Sequence, residues 1–217
     1  MTNNLISQAA TMELHGIPND ILSNLNPLTL IIFIPICDQL VYPMLRRNKI
    51  QFTPIKRIMM GFFMGSCAMI WSCVTQYYVY KTNPCGDHPN SCDGVSPINV
   101  WVQTGAYLFI AFSEIFASIT GLEYAFTKAP RNMRSLVTAV FLFMSAISSA
   151  LGQALVALAE DPLLIWNYGF VAVLAFLAGN IFWLQNKRLD REEDHLNMLP
   201  ASSFHGKVNE NAKEGTA

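Results

Sequence analysis

Residues 101–130, WVQTGAYLFIAFSEIFASITGLEYAFTKAP, are the most informative stretch of this sequence. The stretch is long and apolar enough to predict a helix that spans a bilayer, and it carries Glu114 about halfway along. A carboxylate at that depth is costly unless it faces a partner or a wet cavity, so it indicates a functional site. Ser118, four residues later, shares its helix face. A neighbouring ridge of small residues favours close packing against another helix: Ser113, Ala117 and Gly121.

The composition is that of a membrane protein. The 217-residue chain is 52% hydrophobic and 13% charged, with a mean hydropathy of +0.31, whereas soluble domains are roughly 25% charged. Pro35 predicts a kink in the first apolar segment, and Gly61 and Gly65 form a GxxxG contact ridge in the second. We therefore predict an all-α membrane protein with five transmembrane helices, at residues 27–45, 58–80, 101–130, 135–159 and 163–184.

The positive charges predict the orientation of these helices. Of the 14 Lys and Arg residues, all but Lys81 fall in the loop after the first segment, the loop after the third segment or the tail. The positive-inside rule then places the tail, residues 185–217, in the cytoplasm and residues 1–26 outside. Residues 1–26 lack the basic start and apolar run of a secretory signal peptide. A net charge of −1 without a basic face argues against nucleic-acid binding.

Two cysteines of the loop after the second segment, Cys85 and Cys92, have a spacing that a disulfide can close. A zinc site that also uses His88 is the alternative, although no fourth ligand lies nearby at the usual spacing. The loop falls on the predicted extracellular side, which favours the disulfide. We predict no metal site and no cofactor. Because GxSxG, HExxH and Walker motifs are absent, we do not expect an enzyme.

Several short segments, taken together and in this order along the chain, resemble those of a known protein family. They are IPND (17–20), LNPL (25–28), IPICDQLVYP (34–43), QYYVYKTNPCG (76–86) and SEIFASITGLEYAFTKAP (113–130). With these segments the chain resembles the proton-coupled oligopeptide transporter family, and its fungal di- and tripeptide transporters in particular, from about Asn3 to Leu199. The resemblance implies helices eight to twelve, the carboxyl-terminal bundle, of a twelve-helix major facilitator fold, spanning residues 27–184. Within residues 1–26, residues 1–12 resemble the outer end of helix seven.

The resemblance also implies which residues bind substrate. Glu114 matches the family's helix-ten acid, which pairs with the amino terminus of the peptide, and Asn26 matches the helix-eight asparagine that hydrogen-bonds the same end. Ser118 is expected to line the same pocket, and Phe141 aligns with an aromatic position of a side-chain pocket. A peptide amine that leaves water needs an anion and a neutral acceptor in its place. The proton is the implied coupling ion.

The family's ExxER motif and its first six helices have no counterpart in this chain. We therefore expect the chain to contribute to proton-coupled peptide transport as part of a longer parent in the plasma membrane, with a vacuolar membrane as the alternative location. Its partners would be di- and tripeptides, the lipid bilayer, and the amino-terminal bundle or an intact transporter. We do not expect the chain to transport alone. The alternatives are a membrane half-protein that regulates or assembles with an intact transporter, and a defunct gene fragment.

Structural roles are the competing interpretation for several polar residues. Asn26 could cap the helix that Pro27 opens. We expect Asp38 to form a salt bridge with Arg57 or a neighbour, and Glu123 to pair with Lys128 or Arg131 near the interface. The DREED run, residues 190–194, is predicted to be a solvated helix face.

Overall fold

A computed structural model of the chain describes residues 2–14, 21, 24–48, 52–84, 86, 94–129, 131–154 and 163–198. The predicted Cys85–Cys92 disulfide and the alternative ligand His88 lie outside these residues. The α-helices are α1 (Thr2–Ala10), α2 (Leu25–Ile36), α3 (Tyr42–Arg47), α4 (Pro54–Thr82), α5 (Thr104–Ser113), α6 (Thr120–Lys128), α7 (Arg134–Ala154) and α8 (Leu164–Met198). Two short strands are β1 (Met12–Glu13) and β2 (Ser96–Asn99).

The five predicted transmembrane helices are confirmed as helices long and apolar enough to cross a membrane. They cover Leu25–Leu45, Pro54–Thr82, Val100–Lys128, Arg134–Ala154 and Leu164–Asp190. The first and third are composite, because a π-helical turn at Cys37–Val41 joins α2 to α3 and another at Glu114–Ile119 joins α5 to α6. The first π turn begins two residues after Pro35, which lies inside α2, and proline and π turns are usual causes of irregular helix geometry.

Helix α4 begins four residues earlier than its apolar pattern predicts. Thr53 has extended backbone geometry, its hydroxyl accepts a hydrogen bond from the backbone N–H of Lys56, and Pro54 occupies the first turn. These are the usual signals of a helix start, because the cap satisfies a free donor and proline has none to satisfy.

Strand pairing and buried hydrogen bonds hold the segment before the first span against the rest of the bundle. Strands β1 and β2 pair in parallel, a small sheet that the sequence did not predict. The side chain of Gln8 in α1 donates to the carbonyl of Ser72 at 3.0 Å, and Gln103 donates to Oε1 of Gln8 and to the carbonyl of Leu5, both at 2.9 Å. These buried amides hold α1 against α4 and the start of the third span.

Close packing between α4 and the third span joins the two predicted small-residue ridges. A Cβ atom built on Gly61 would lie 2.6 Å from the backbone nitrogen of Ala117, and one on Gly65 would lie 3.0 Å from Oγ of Ser113. The Cβ position of Gly121 lies 3.9 Å from Ile58. The expectation that both ridges make close helix contacts is confirmed, because only small residues let the backbones approach this closely.

Helix α7 has no buried residue. The Cβ position of Gly152 meets no atom of the described chain within 4 Å. Both faces of α7 are therefore open to lipid or to other helices.

Helix α8 continues without a break from the fifth span into the predicted tail. The prediction that the DREED run is a solvated face is wrong for Asp190, whose side chain is only 6% exposed. Asp190 accepts a hydrogen bond from the hydroxyl of Thr53, and its Oδ2 atom lies 3.4 Å from Nζ of Lys56. The start of α4 supplies a donor, a cation and the positive end of a helix dipole, so this carboxylate is stabilised in a buried position.

Candidate functional site

Glu114 is the first residue of the π-helical turn in the third span. In a π turn each backbone hydrogen bond joins residues five positions apart, one more than in an α-helix. Such π turns frequently mark functional sites. The hydroxyl of Thr120 donates to the carbonyl of Ile115 at 3.1 Å, across the wider turn. Ala117, in the same turn, contacts Gly61 of α4. The position of the Glu114 carboxylate is therefore coupled to close packing between two spans.

The structure brings Asn26 and Glu114 together across 88 residues of sequence. The amide Nδ2 of Asn26 donates to both carboxylate oxygens of Glu114, at 3.2 Å each. With the amide nitrogen turned toward Glu114, the Oδ1 atom of Asn26 is buried and has no hydrogen-bond partner in the described part of the chain. The pair thus combines one anion with one unused neutral acceptor.

Asn26 does not act as the N-cap of its helix. The N-cap position of α2 is Asn24, and Asn26 lies inside the first turn, beside Pro27. The capping interpretation of Asn26 is therefore wrong, because its side chain points to the third span.

Aromatic rings connect the site to neighbouring helices, a feature that the sequence analysis missed. Phe33 of α2 meets Phe112 edge to face, with ring centroids 4.9 Å apart. Phe112 stacks on Phe116, which meets Phe52 at 6.1 Å. Phe112 and Phe116 lie on either side of Glu114 and four residues apart, a spacing that indicates a shared helix face. These rings fix the first span against the π turn and so set the approach of Asn26 to Glu114.

Ser118 and Phe141 are not joined to this pair by a hydrogen bond or ring contact within the described residues. Ser118 is exposed, in the same π turn as Glu114. Phe141 is 37% exposed and lies on α7. Both side chains are free to meet a ligand or another helix.

Charged residues near the carboxyl-terminal end of the third span line a separate cavity. Glu123, Arg57 and Lys128 line a cavity of about 340 Å³ together with Tyr124. In the described part of the chain, Asp38 forms no salt bridge with Arg57, one of its two expected kinds of partner. The Arg57 guanidinium instead lies over the ring of Tyr42, 3.9 Å from the ring centre, and its Nε atom donates to the carbonyl of Phe52 at 3.1 Å.

Within the described residues, no group of three His, Cys, Asp or Glu side chains is placed to hold a metal ion. The cysteines Cys37, Cys67 and Cys73 are free thiols.

Comparisons with known proteins agree on one family. A family model described as the POT family matches residues 1–171. The chain is 49% identical to the peptide transporter PTR_C of Candidozyma auris over 206 residues, which cover 92% of this chain and 36% of that protein. It is 47% identical to the probable peptide transporter ptr2 of Schizosaccharomyces pombe, covering 92% of this chain and 32% of that protein. It is 44% identical to the peptide transporter PTR2 of Saccharomyces cerevisiae, covering 92% of this chain and 33% of that protein.

Solved structures share the fold. The crystal structure of an auto-inhibited POT family peptide transporter matches with a TM-score of 0.64 and 24% identity, over 85% of this chain and 36% of that chain. The POT family transporter PepTSo matches with a TM-score of 0.64 and 22% identity, over 87% of this chain and 37% of that chain. The five spans are therefore part of a major facilitator fold.

The chain spans about a third of the length of these three relatives. The family model nevertheless covers well over half of the chain, and the resemblance seen in the sequence is confirmed. The chain belongs to the POT family.

Proposed function

We propose that this chain is the carboxyl-terminal bundle of a proton-coupled di- and tripeptide transporter, and that Glu114 and Asn26 receive the amino terminus of the peptide. The observation that carries the proposal is the Asn26–Glu114 pair, in which two carboxylate oxygens and one unused amide oxygen lie together. Relatives at up to 49% identity are named peptide transporters, which supports peptides as the substrate class.

The chemistry of an ammonium group fits this arrangement. A peptide amine carries three N–H donors and no acceptor, and it loses its water when it enters a membrane protein. The oxygens of Glu114 supply charge-assisted hydrogen bonds, which are about twice as strong as neutral ones, and Oδ1 of Asn26 supplies a third acceptor. The amide that already holds Glu114 would keep the carboxylate oriented while the amine binds.

The proposal also includes coupling of peptide transport to protons. Glu114 is a titratable group in the middle of a candidate span, and such groups form the proton relays of membrane transporters. Transport would proceed by rocking of this bundle against an amino-terminal bundle around a site between them. Ser118 and Phe141, both accessible, are proposed to line the side-chain part of that site.

The proposed orientation has residues 1–26 outside and the tail in the cytoplasm, in the plasma membrane. It rests on the placement of the Lys and Arg residues and agrees with a disulfide between Cys85 and Cys92 in an extracellular loop.

Binding measurements on the chain in phospholipid nanodiscs test the role of Glu114. We expect N-acetylation of a dipeptide to weaken its binding about 10- to 100-fold, because the charge-assisted contacts are lost, corresponding to about 1.4–2.8 kcal/mol. Glu114→Gln should weaken binding of the free dipeptide by a similar factor and leave binding of the acetylated dipeptide almost unchanged. Calorimetric titration of both ligands into both proteins measures the coupling between the amine and this carboxylate.

Glu123→Gln is the matched control, since it removes an acid from the same span at the separate charged cavity. Its effect on dipeptide binding should be negligible. If N-acetylation and Glu114→Gln weaken binding independently, so that their effects add, Glu114 does not receive the amine and the proposal fails.

Transport by the isolated chain is a separate prediction. In proteoliposomes with an inward proton gradient, we expect no uptake of labelled dipeptide above protein-free liposomes, because alternating access needs two bundles. Gradient-dependent uptake that a proton ionophore abolishes would show that the chain, alone or as an oligomer, transports.

Assembly with an intact transporter is the second candidate function. The exposed α7, which has no buried residue, favours it because such a helix can pack against helices of another chain. Co-purification of the tagged chain with a full-length relative from shared membranes would support this function, and exclusive recovery of the chain by itself would exclude it.

A further inference from the structure

An apolar groove of about 630 Å³ lies between α4 and the first half of the third span. Most of its α4 wall lies on the exposed side of the helix, opposite the buried residues Ser72 and Gln76. The groove is therefore open to the surroundings of the bundle, on a candidate membrane span. It shares no lining residue with the Asn26–Glu114 pair. The main lining residues are Ile70, Trp71, Val74, Tyr78, Val102 and Phe109.

Three polar side chains along the groove already have partners within the protein. Nε1 of Trp71 donates to the carbonyl of Val102 at 2.9 Å. The hydroxyl of Thr75 donates to the carbonyl of Trp71 at 2.9 Å, and that of Thr82 to the carbonyl of Tyr78 at 2.8 Å. Because these groups are satisfied, the groove presents hydrocarbon to its occupant and offers water little.

The groove has a rigid flat wall formed by Trp71. The indole lies against Gly105, where an added Cβ atom would approach Cε2 of Trp71 to 2.6 Å. Its hydrogen bond to Val102 fixes the ring from one side, and the ring of Phe109 lies 6.3 Å away between centroids. A preformed flat surface favours a rigid flat ligand, since such a ligand loses little conformational entropy on binding.

The sequence of α4 supplies an independent indication of the ligand. Val74, Tyr78 and Lys81 follow the order of a Leu or Val, a Tyr and a Lys or Arg, each a few residues apart, a pattern proposed for sterol contact. The pattern is weak by itself, but here Val74 and Tyr78 line one apolar groove. Lys81 is exposed in the last turn of α4, next to the groove's end at Thr82.

We propose that this groove binds one membrane sterol, with its fused rings against Trp71 and Phe109 and its hydroxyl toward Tyr78 and Lys81. A fused-ring ligand matches the flat wall and meets polar groups only at the Lys81 end. A phospholipid acyl chain would have to order many rotatable bonds to fill the same space. The site is independent of peptide binding.

Photolabelling of the chain in phospholipid nanodiscs tests the proposal. The probe is a diazirine-bearing sterol at low mole fraction, and mass spectrometry locates the labelled residues. We expect saturable labelling of groove residues that excess unlabelled sterol displaces. Val74→Trp, which fills the groove, should reduce this labelling about tenfold, a change of about 1.4 kcal/mol in binding. Val173→Trp on α8 is the matched control, since Val173 is 58% exposed against 50% for Val74, and it should leave the labelling unchanged.

Two results would overturn the proposal. Labelling that does not saturate and is equal on other exposed faces, such as Leu142 and Phe143 of α7, would mean contact with bulk lipid only. Labelling of the groove that excess unlabelled sterol does not displace, in a bilayer that already presents phospholipid in excess, would assign the groove to an acyl chain. If Val74→Trp does not fold, Tyr78→Phe decides instead: it should weaken labelling by the sterol but not by an analogue that lacks the hydroxyl, and equal effects on both would contradict the proposed orientation.

Discussion

Replacing Gly61 with alanine is expected to lower the free energy of unfolding by about 3 kcal/mol, since an added methyl group in a well-packed interior costs about 1–3 kcal/mol or more. The new Cβ atom would lie 2.6 Å from the backbone nitrogen and 2.7 Å from the Cβ atom of Ala117. Neither atom belongs to a flexible side chain, so α4 and the π turn must move apart. Titration of the chain in mild detergent with SDS measures the change.

The chain offers a graded set of controls for Gly61→Ala. Gly65→Ala should cost less, because the atom that it meets, Oγ of Ser113 at 3.0 Å, can rotate away. Gly169→Ala in α8 meets nothing within 4 Å and should be neutral or stabilising by up to about 1 kcal/mol, because alanine is the better helix former. Equal effects of all three substitutions would show that close helix contact at Gly61 does not determine stability.

Gly61→Ala also has a functional consequence. Ala117 lies in the π turn that begins at Glu114, so displacement of the turn should lengthen the hydrogen bonds between Asn26 and Glu114. The buried thiol of Cys37, 2% exposed beside Ile115 and Phe116, reports on the same region. We expect faster alkylation of Cys37 in Gly61→Ala than in Gly169→Ala, as measured by mass spectrometry of the modified peptide.

Replacing Asp190 with alanine is expected to cost about 2–3 kcal/mol of stability. Loss of one partner of a buried ion pair costs about 3–5 kcal/mol, and we expect a smaller loss here because Lys56 is 33% exposed and can reach water. The substitution removes the acceptor of the Thr53 hydroxyl as well as a charged partner of Lys56. SDS titration measures the stability, and hydrogen exchange should show that the end of α8 near Leu189 opens more often.

Two other substitutions separate the charge of Asp190 from its hydrogen bond. Asp190→Asn keeps an oxygen that can accept from Thr53 and should cost about 1 kcal/mol. Asp38→Asn is the control for loss of an acid elsewhere, because Asp38 is exposed, and it should change stability by less than about 0.5 kcal/mol. A loss for Asp190→Ala no larger than that for Asp38→Asn would show that the buried contact contributes nothing.

The sequence by itself determined the five spans, the small-residue ridges and the family. Hydropathy and helical spacing are properties of residues close together in the chain, so segments such as 58–80 and 135–159 can be identified without knowing their neighbours. The same local information singled out Glu114, because an acid in the middle of an apolar stretch is unusual wherever that stretch lies. The assignment of Asn26 to the same site came from the resemblance to the family, not from the spacing of the residues.

Only the tertiary structure decided which distant residues meet. The hydrogen bonds of Asn26 with Glu114 and of Thr53 with Asp190 join residues 88 and 137 positions apart. They depend on how each helix is rotated about its axis and shifted along it relative to its neighbours. The charged run at residues 190–194 is locally the pattern of a solvated face, and Asp190 is buried only because α8 passes the start of α4. The π turn at Glu114–Ile119 was likewise not predicted from the sequence, and it lies where Ala117 packs against Gly61 and where the rings of Phe112 and Phe116 stack.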